Sequence, residues 1–266
     1  MEYSIGEVSA ILNLSRDMIR YYEKQGAVSS SRGSDNNYRK YSDMEVFWLL
    51  EASQHKSWGI PINEISGIRE NGYTKSTEIF LSKELEDLRK EAAYKLLLSR
   101  RLDEVREHMG LGLLNIGNYW IARVPEFYRC HLVTGRGDVY DRINMPLEVS
   151  RYIFSERCIP FADSGFTVKE DLTEWEMCIK KEYADALDEP VPAEMELFPC
   201  RTCLCTNADI GEVGSFDSSA FHEISVQAEK RGLSPIPGAD LQAITLGRGY
   251  ENGRFRRLVR LYLPVM

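Results

Sequence analysis

The sequence predicts an α+β chain in three parts: two short helices followed by a hairpin, one long helix, and a duplicated β-α-β domain. Two helix-capping patterns near the start, each followed by apolar residues at helical spacing, indicate the first part. Residues 76–109 contain neither proline nor glycine and indicate the second. In residues 111–266 an order of strand-like, helix-like and strand-like segments occurs twice, which indicates the third.

Composition and charge limit the class of protein. Hydrophobic residues make up 43% of the chain and charged residues 28%, as in soluble globular proteins. No apolar run approaches the ~18 residues of a membrane-spanning helix, and the first residues lack the basic start of a signal peptide. We therefore expect a cytoplasmic protein with no membrane partner. The net charge is −8, but residues 14–40 hold six basic and three acidic residues, which favours an anionic partner there.

Cysteine spacing gives little support for a metal or a cofactor. The six cysteines are expected to be free thiols, because disulfides are rare in cytoplasmic proteins. The segment CRTCLC has no histidine at ligand spacing, so a tetrahedral metal site on Cys200, Cys203 and Cys205 would be incomplete. The sequence also contains no evident catalytic triad, phosphate-binding loop or zinc motif. We expect no cofactor, no metal and no enzyme activity.

Two short helices with a tight turn between them are predicted near the start. Ser4 and Glu7 have the spacing of a capping box, and the apolar residues after them recur at helical spacing. Ser15 is placed to begin a second helix, and Gly26 is placed at its left-handed end. Such a pair forms a helix-turn-helix unit, whose second helix enters the major groove of DNA.

A hairpin is predicted over residues 28–41, VSSSRGSDNNYRKY, because its turn is rich in glycine, asparagine, aspartate and serine. Cationic and hydroxyl side chains on its second strand suit phosphate oxygens, which position a protein on DNA without reading sequence. The alternative is a solvated basic loop. The strand residues concerned are Tyr38, Arg39, Lys40 and Tyr41.

Two further helices should follow the hairpin. Ser42 and Glu45 repeat the capping-box spacing and predict a helix that Gly59 and Pro61 end. Another short helix is predicted over residues 62–69. Three apolar residues of the first of these helices are expected in the core: Val46, Leu49 and Leu50.

The long helix predicted over residues 76–109 has a heptad seam, in which two sets of apolar residues are each spaced four, three and four apart. This narrow stripe is typical of a two-helix coiled coil, so we expect a homodimer through residues 76–109; the alternative is an exposed linker helix. Three glycines after it mark a boundary, which gives predicted domains 1–75, 76–110 and 111–266. The seam residues are Leu81, Leu85, Leu88, Ala92, Leu98, Leu102, Val105 and Met109.

The order of these elements resembles the MerR family of bacterial transcription regulators: a helix-turn-helix with SRDMIRYYEKQG, a wing ending in NNYRKYS, a second helix pair and a long dimerisation helix. The resemblance implies a winged helix-turn-helix domain that binds promoter DNA as a homodimer. MerR-type proteins distort the promoter when an effector binds, so that RNA polymerase can use it. The DNA-facing residues that the resemblance implies are Arg16, Arg20, Tyr21, Lys24, Tyr38, Arg39 and Lys40.

The two adjacent tyrosines of the predicted recognition helix should differ in environment. Residues 21 and 22 point about 100° apart on a helix, so they cannot both face the groove. We expect Tyr21 to face DNA and Tyr22 to pack inward.

The second half resembles the GyrI-like effector-binding domain of multidrug-responsive MerR members, through IARVPE, LFPCRTCLC and LYLPV. The resemblance implies an aromatic cleft for a drug-like molecule, often a flat cation held near a glutamate. Gln242 and Arg260 stand where acidic residues are expected, so a neutral or anionic aromatic effector is equally open. The counter-charge for a cation would come from Glu174, Glu176, Glu194 or Glu196. The ligand-binding residues implied are Trp120, Pro146, Tyr152, Phe216, Phe221, Gln242, Ile244 and Tyr262, with core packing as the alternative for each aromatic.

The resemblance implies an effector-responsive regulator that activates transcription by distorting its promoter when a small aromatic or cationic effector binds. RNA polymerase is then an indirect partner, through the promoter. Metal-sensing relatives place cysteines after the dimerisation helix, where this chain has His108, Met109 and Gly110, so metal sensing is not expected. The alternatives are a hydrolase of small electrophiles that uses Trp120 or Trp175 with a glutamate, and a resistance protein that sequesters its ligand.

Overall fold

The chain forms two compact units, Met1–Ala92 and Ala93–Met266, in a computed structural model. The domain bounds at residues 75 and 110 stay predictions. No helix in the part of the chain that the structure describes has the length and apolar character needed to cross a membrane. The described residues are 1–32, 38–137, 139–140, 142–169, 172–212 and 216–266.

The first unit contains the predicted helix-turn-helix, hairpin and second helix pair. Its strands form an antiparallel sheet in the order β1-β3-β2, and the tip of the hairpin, residues 33–37, lies outside the described residues. The elements are β1 (Glu2–Ser4), α1 (Ile5–Leu12), α2 (Arg16–Lys24), β2 (Ser31–Arg32), β3 (Arg39–Ser42), α3 (Asp43–Ser57), α4 (Ile62–Asn71) and the first part of α5 (Lys75–Gly112).

The caps of the helix-turn-helix confirm the sequence prediction. The Glu7 amide donates to Ser4 Oγ at 3.3 Å while the Ser4 amide donates to the Glu7 carboxylate at 2.7 Å, which completes the capping box. Ser15 Oγ accepts from the Met18 amide at 3.1 Å and begins α2. After α2, Gly26 takes a φ of 78°, which favours glycine. Local chemistry alone therefore fixes both ends of the second helix.

The second predicted capping box forms only in part. The Glu45 amide donates to Ser42 Oγ at 3.3 Å, as expected. The Glu45 carboxylate instead accepts from the Ser29 amide at 2.7 Å and from the guanidinium of Arg69. A charged donor on α4 outcompetes the backbone amide that the motif would use.

The core of the first unit confirms two of three residues expected there. Leu49 of α3 is fully buried and Val46 packs against the same cluster, but Leu50 is 53% exposed. The expectation for Leu50 is wrong because neighbouring residues on a helix point about 100° apart. The buried set around Leu49 includes Val8, Ile19, Tyr22, Tyr41, Ile60 and Ile65.

Helix α5 is slightly longer than predicted. It begins at Lys75, continues through Gly110 and ends at Gly112; Gly117, with a φ of 73°, lies in the turns that follow. Five of the seam residues are exposed in the single chain: Leu85, Leu88, Ala92, Leu102 and Met109.

The second unit is built on one antiparallel sheet. Its order is β4-β10-β12-β11-β7-β8-β5-β6, and β9 pairs with β5. After the rest of α5, the elements are β4 (Tyr119–Val124), β5 (Phe127–Arg136), β6 (Val139–Tyr140), α6 (Leu147–Ile153), β7 (Ala162–Lys169), β8 (Leu172–Lys180), α7 (Lys181–Leu187), β9 (Glu196–Phe198), β10 (Arg201–Asp209), α8 (Ser219–Lys230), β11 (Leu241–Glu251) and β12 (Arg254–Pro264).

The sheet contains the predicted duplication. One repeat is β5-α6-β7-β8 and the other is β10-α8-β11-β12, and they meet where β7 pairs with β11. At this junction Gly165 lies opposite Ile244, and a Cβ on Gly165 would collide with the Ala243 carbonyl, so only glycine fits. The strand before each repeat pairs with the other repeat: β4 joins β10, and β9 joins β5.

The two faces of this sheet differ in character. On one face, which we call the helix face, Phe166, Ala243 and Leu261 pack against Phe221 and Ile224 of α8. Side chains alternate along each strand, so the residues between these point to the opposite face, which we call the polar face. It carries many polar and titratable groups, among them Asp163, Thr167, Glu176, Gln242, Asn207 and Arg260.

Candidate nucleic-acid interface and ligand sites

Helix α2 presents a basic face away from the core. Arg16, Arg20 and Lys24 are four residues apart, lie on one side of the helix and are exposed. Ile19 and Tyr22 on the other side are buried against α1 and α3. Arg20 Nη1 also donates to Asp17 at 3.0 Å, which holds its side chain along the helix surface.

The tyrosine pair faces as expected. Tyr21 is 42% exposed, whereas Tyr22 is 3% exposed and belongs to the core cluster. Their rings are 6.1 Å apart and tilted by 58°. Only Tyr21 is therefore available to a partner, and its contact with DNA stays a prediction.

Glu23 of α2 organises the base of the wing, a role that the sequence did not reveal. Its carboxylate accepts from Arg39 Nε at 2.8 Å, from Ser30 Oγ at 2.6 Å and from the Tyr41 hydroxyl at 3.4 Å. Burial, with the charge of Glu23 nearby, raises the pKa of Tyr41 to about 12. Arg39 is thus engaged within the protein, while Tyr38 is exposed and Lys40 half-buried.

A second carboxylate fixes the chain before the wing. Besides the Ser29 amide, Glu45 accepts from Ser29 Oγ at 2.8 Å and from Arg69 Nη1 at 3.0 Å. Burial alone would raise the pKa of Glu45, but the hydrogen bonds from Ser29 and Arg69 lower it overall. The carboxylate is therefore ionised at neutral pH and ties the chain before β2 to α3 and α4.

The eight predicted ligand residues do not line one cleft. Trp120, Ile244 and Tyr262 lie together on the polar face, around a cavity of about 170 Å³. The other aromatic residues lie on the helix face: Tyr152 of α6 is in its core, and Phe216 packs on Phe221 at 5.7 Å. The expectation of a single cleft fails because the predicted strand residues all point to the polar face, whereas the predicted aromatic residues of α6, of α8 and of the segment before α8 pack on the helix face.

Pro146 and Gln242 complete the set. Pro146 precedes α6 as its N-cap residue and is half-buried. Gln242 lies on the polar face between Thr167 and Tyr262 and is 1% exposed. Neither polar atom of its amide has a hydrogen-bond partner among the described residues, which is costly for a buried group.

One of the four candidate acids is buried. Glu176 is 5% exposed, and burial raises the pKa of its carboxyl to about 7, although Arg129 Nη1 lies 3.6 Å away. Thr167 Oγ1 also donates to it at 3.4 Å. Glu174 forms an ion pair with Lys169 at 2.7 Å, and Glu194 and Glu196 are exposed.

The helix face contains an aromatic cleft of about 450 Å³. Trp175 forms its floor, packed 4.7 Å from Phe166 and 5.8 Å from Tyr140 between ring centroids. The Arg248 guanidinium lies 5.9 Å from the Trp175 ring. Ile143 and Phe255 also line the cleft. Trp175 was predicted only for the hydrolase alternative, and Tyr140 and Phe255 were not predicted, because no sequence motif marks the strands that carry them.

Helix α5 joins the polar face of the second unit through a line of polar contacts. Arg101 pairs with Asp163, Glu104 accepts from Lys180 Nζ at 2.8 Å, and Arg260 Nη1 donates to His108 Nε2 at 3.1 Å. The contacting residues of α5 recur three to four positions apart, a polar stripe along one side of the helix. This polar stripe is visible in the sequence alone, beside the apolar seam.

Most of the cysteines are buried. All six are free thiols, and burial raises the pKa of Cys203 to about 11 and that of Cys205 to about 12. Within the described ranges, no cluster of three or more histidine, cysteine or acidic side chains is arranged to hold a metal ion. Buried neutral thiols are unreactive, so Cys203 and Cys205 act as packing residues of the sheet.

Comparison with known proteins gives a family match within the first unit and matches to known transcription regulators. Residues 4–41 match the family model described as MerR family regulatory protein. The heavy metal-dependent transcription regulator 2 of Rhizobium meliloti (strain 1021) is 34% identical over 62 residues, which is 23% of this chain. The chain spans 42% of the length of that relative.

Two solved structures are similar over longer stretches. A cryo-EM structure of an EcmrR-DNA complex covers 99% of both chains, with 17% identity and a TM-score of 0.35. The structure of SAV2435 bound to tetraphenylphosphonium covers 56% of this chain and 94% of its own, with 10% identity and a TM-score of 0.31. Neighbours of the SAV2435 type cover the C-terminal part of the chain.

The first unit therefore belongs to the winged helix-turn-helix class: a capped helix pair, an exposed basic second helix and a hairpin pinned to it by Glu23. The match over residues 4–41 identifies it more closely. The chain has a MerR-family N-terminal domain.

Proposed function

We propose that the protein is a homodimeric transcription regulator, which binds promoter DNA through its first unit and responds to a small aromatic effector. The observation that supports DNA binding most directly is the exposed basic face of α2, with Arg16, Arg20 and Lys24 in one row. Guanidinium and ammonium groups on such a face suit phosphates and base edges in the major groove. The contacts of Glu23 and Glu45 hold the base of the wing, residues 29–30 and 39–41, beside this helix.

Activation would follow the MerR pattern. The effector-bound dimer distorts the promoter, and RNA polymerase then recognises it; the polymerase is a partner only through the DNA. The MerR-family domain favours this regulator over a hydrolase or a ligand-sequestering protein, because those functions would leave the basic face of α2 unused. The aromatic cleft around Trp175 is the proposed effector site, since it combines several aromatic rings with a volume suited to a small ligand.

DNA binding is tested with Arg20→Ala and its matched control Arg151→Ala. Each arginine is exposed and pairs with an acidic residue three positions earlier, Asp17 at 3.0 Å and Glu148 at 2.9 Å. Fluorescence anisotropy with the DNA upstream of the coding region should show affinity that falls steeply with salt. Arg20→Ala should weaken binding about tenfold, whereas Arg151→Ala should leave it unchanged. Equal effects of the two changes, or binding insensitive to salt, would contradict the proposal.

The effector site is tested by thermal shift with cationic, neutral and anionic aromatic compounds. A ligand that binds only the folded state raises the apparent Tm. The shift should disappear in Tyr140→Ala, which removes one wall of the cleft, and persist in Phe154→Ala, an exposed aromatic at the end of α6. A shift retained by Tyr140→Ala would place the effector elsewhere.

A further inference from the structure

The aromatic cleft around Trp175 carries positive charge on one side. Arg248 of β11 and Arg257 of β12 both line it, and they lie directly opposite each other in the register of the two strands. Opposed residues of an antiparallel pair project to the same face, so both side chains belong to the helix face of the sheet. Like charges in this arrangement repel each other, and an anion beside them would reduce that repulsion.

The two arginines differ in how they are held. Arg257 is 5% exposed, and its Nε donates to the carbonyl of Gly211 at 2.7 Å. Arg248 is exposed; its Nη2 donates to Ser164 Oγ at 3.4 Å, and its guanidinium lies 5.9 Å from the Trp175 ring. Both partners of Arg248 are neutral, and among the described residues no carboxylate pairs with it. Arg248 is therefore the arginine that a ligand in the cleft can reach.

Two carboxylates lie on the strand that forms the floor of the cleft, and both face away from it. Glu176 borders the cleft, but its carboxylate lies on the polar face, where Thr167 Oγ1 donates to it at 3.4 Å. Glu174, two positions earlier on the same strand, shares that face and pairs with Lys169 at 2.7 Å. On the helix face, the described residues that line the cleft thus present the charge of Arg248 without a facing carboxylate.

The rings and the volume of the cleft define the rest of its ligand. Trp175 forms the floor, and Tyr140 and Phe255 also line it. Aromatic side chains in such a cleft suit a flat ring system. The volume is about 450 Å³, whereas a cavity of ~150 Å³ holds one benzene ring. A ligand of two fused rings therefore fits, with room for an acidic group beside Arg248.

We propose that this cleft selects an aromatic anion of about two fused rings, with a carboxylate on Arg248 and the rings against Trp175. The inference rests on the proposed effector site and adds the charge of its ligand. A planar guanidinium binds a carboxylate through two parallel hydrogen bonds. Arg248 determines specificity because it supplies the charge, while Trp175 offers a surface that binds aromatic groups of any charge.

Three compounds of nearly the same shape test the charge preference: 2-naphthoate, neutral 2-naphthamide and cationic 2-naphthylmethylamine. Isothermal titration of the full chain, without DNA, should show 2-naphthoate binding at least about tenfold more tightly than the other two. Arg248→Gln should remove most of this difference. Arg231→Gln is the matched control and should keep it, because Arg231 is also exposed and lies 5.1 Å from the Tyr119 ring, but outside the cleft.

Charge reversal separates an electrostatic role of Arg248 from a structural one. Arg248→Glu should invert the preference, so that the cationic amine binds more tightly than 2-naphthoate. Loss of the hydrogen bond to Ser164 alone would weaken the three compounds alike. Circular dichroism checks that the variants fold. If either does not, Arg248→Lys keeps the charge without the planar fork and should weaken 2-naphthoate binding while leaving its preference over the amide.

Two outcomes would overturn the inference: binding of the amide or the amine at least as tight as that of 2-naphthoate, or an unchanged preference in Arg248→Gln. If the favoured compound is the amide or the amine and Tyr140→Ala removes its binding, anion selectivity fails while the effector site is supported. If none of the three binds and no compound of the wider screen raises the Tm, the effector site fails as well. Because no DNA is present, each of these results leaves the DNA-binding proposal to its own test.

Discussion

Single residues show how backbone periodicity decides environment. Tyr21 and Tyr22 are adjacent, yet only Tyr22 enters the core; Leu49 and Leu50 divide in the same way. In each pair the helix turns by about 100° between neighbours, so one side chain meets the core and the next meets solvent. Glu176 shows the other determinant, since a carboxyl on a strand becomes titratable near neutrality only because the sheet buries it.

Replacing Glu176 with glutamine should reduce the pH dependence of stability. The pKa of Glu176 is about 7 in the folded protein and ~4.3 in an unfolded chain, so its contribution is fully present below ~4.3 and is lost as the pH rises through 7. Glu176→Gln keeps the shape without the charge. At about pH 8 its free energy of unfolding should exceed that of the unaltered protein by at most about 4 kcal/mol.

Urea unfolding at about pH 5 and pH 8 measures this effect. The control is Glu194→Gln, since Glu194 is exposed, and it should follow the unaltered protein at both pH values. If Glu176→Gln shows the same difference between the two pH values as the unaltered protein, Glu176 is already ionised in the folded state.

At the scale of elements, capping residues and the periodicity of apolar residues predicted where the helices lie. Ser4, Ser15 and Ser42 each begin a helix where the sequence places one, and α5 runs without interruption over the predicted stretch. Three seam leucines, Leu85, Leu88 and Leu102, stay exposed in the single chain, which favours a coiled coil. Leu81 and Leu98 instead pack against the core of their own chain. The role of the polar stripe on α5, by contrast, is evident only from the strands that it contacts.

Leu88→Glu should dissociate the proposed dimer. A charge in the seam of a two-helix coiled coil is desolvated and faces its own copy on the partner helix. The matched control is Leu96→Glu, because Leu96 is exposed at 73% but lies outside the predicted seam. Light scattering after size exclusion should report a monomer for Leu88→Glu only, with loss of DNA binding. A dimer in Leu88→Glu, with unchanged helix content, would leave α5 as an exposed linker helix.

At the scale of the whole molecule, the two units differ in how much the sequence revealed. Helix α5 contributes to both, with Lys75 in the first unit and Gly112 in the second. The first unit depends on short-range signals: caps, a turn and helical periodicity. The second depends on a duplication whose repeats complete each other, since β4 pairs with β10 and β9 pairs with β5. Strand pairing between such distant segments produces no pattern in the sequence of either segment.

The sequence by itself determined the helix-turn-helix, the inward and outward tyrosines, the long helix and the duplication. These follow from spacings of a few residues, which fix hydrogen bonds and amphipathic faces locally. Only the tertiary structure decided that Glu45 binds Arg69 rather than completing a capping box, and that Trp120 and Phe216 lie on opposite faces of one sheet. Both depend on groups brought together from distant parts of the chain. Their partners and burial are therefore set by packing and by strand register.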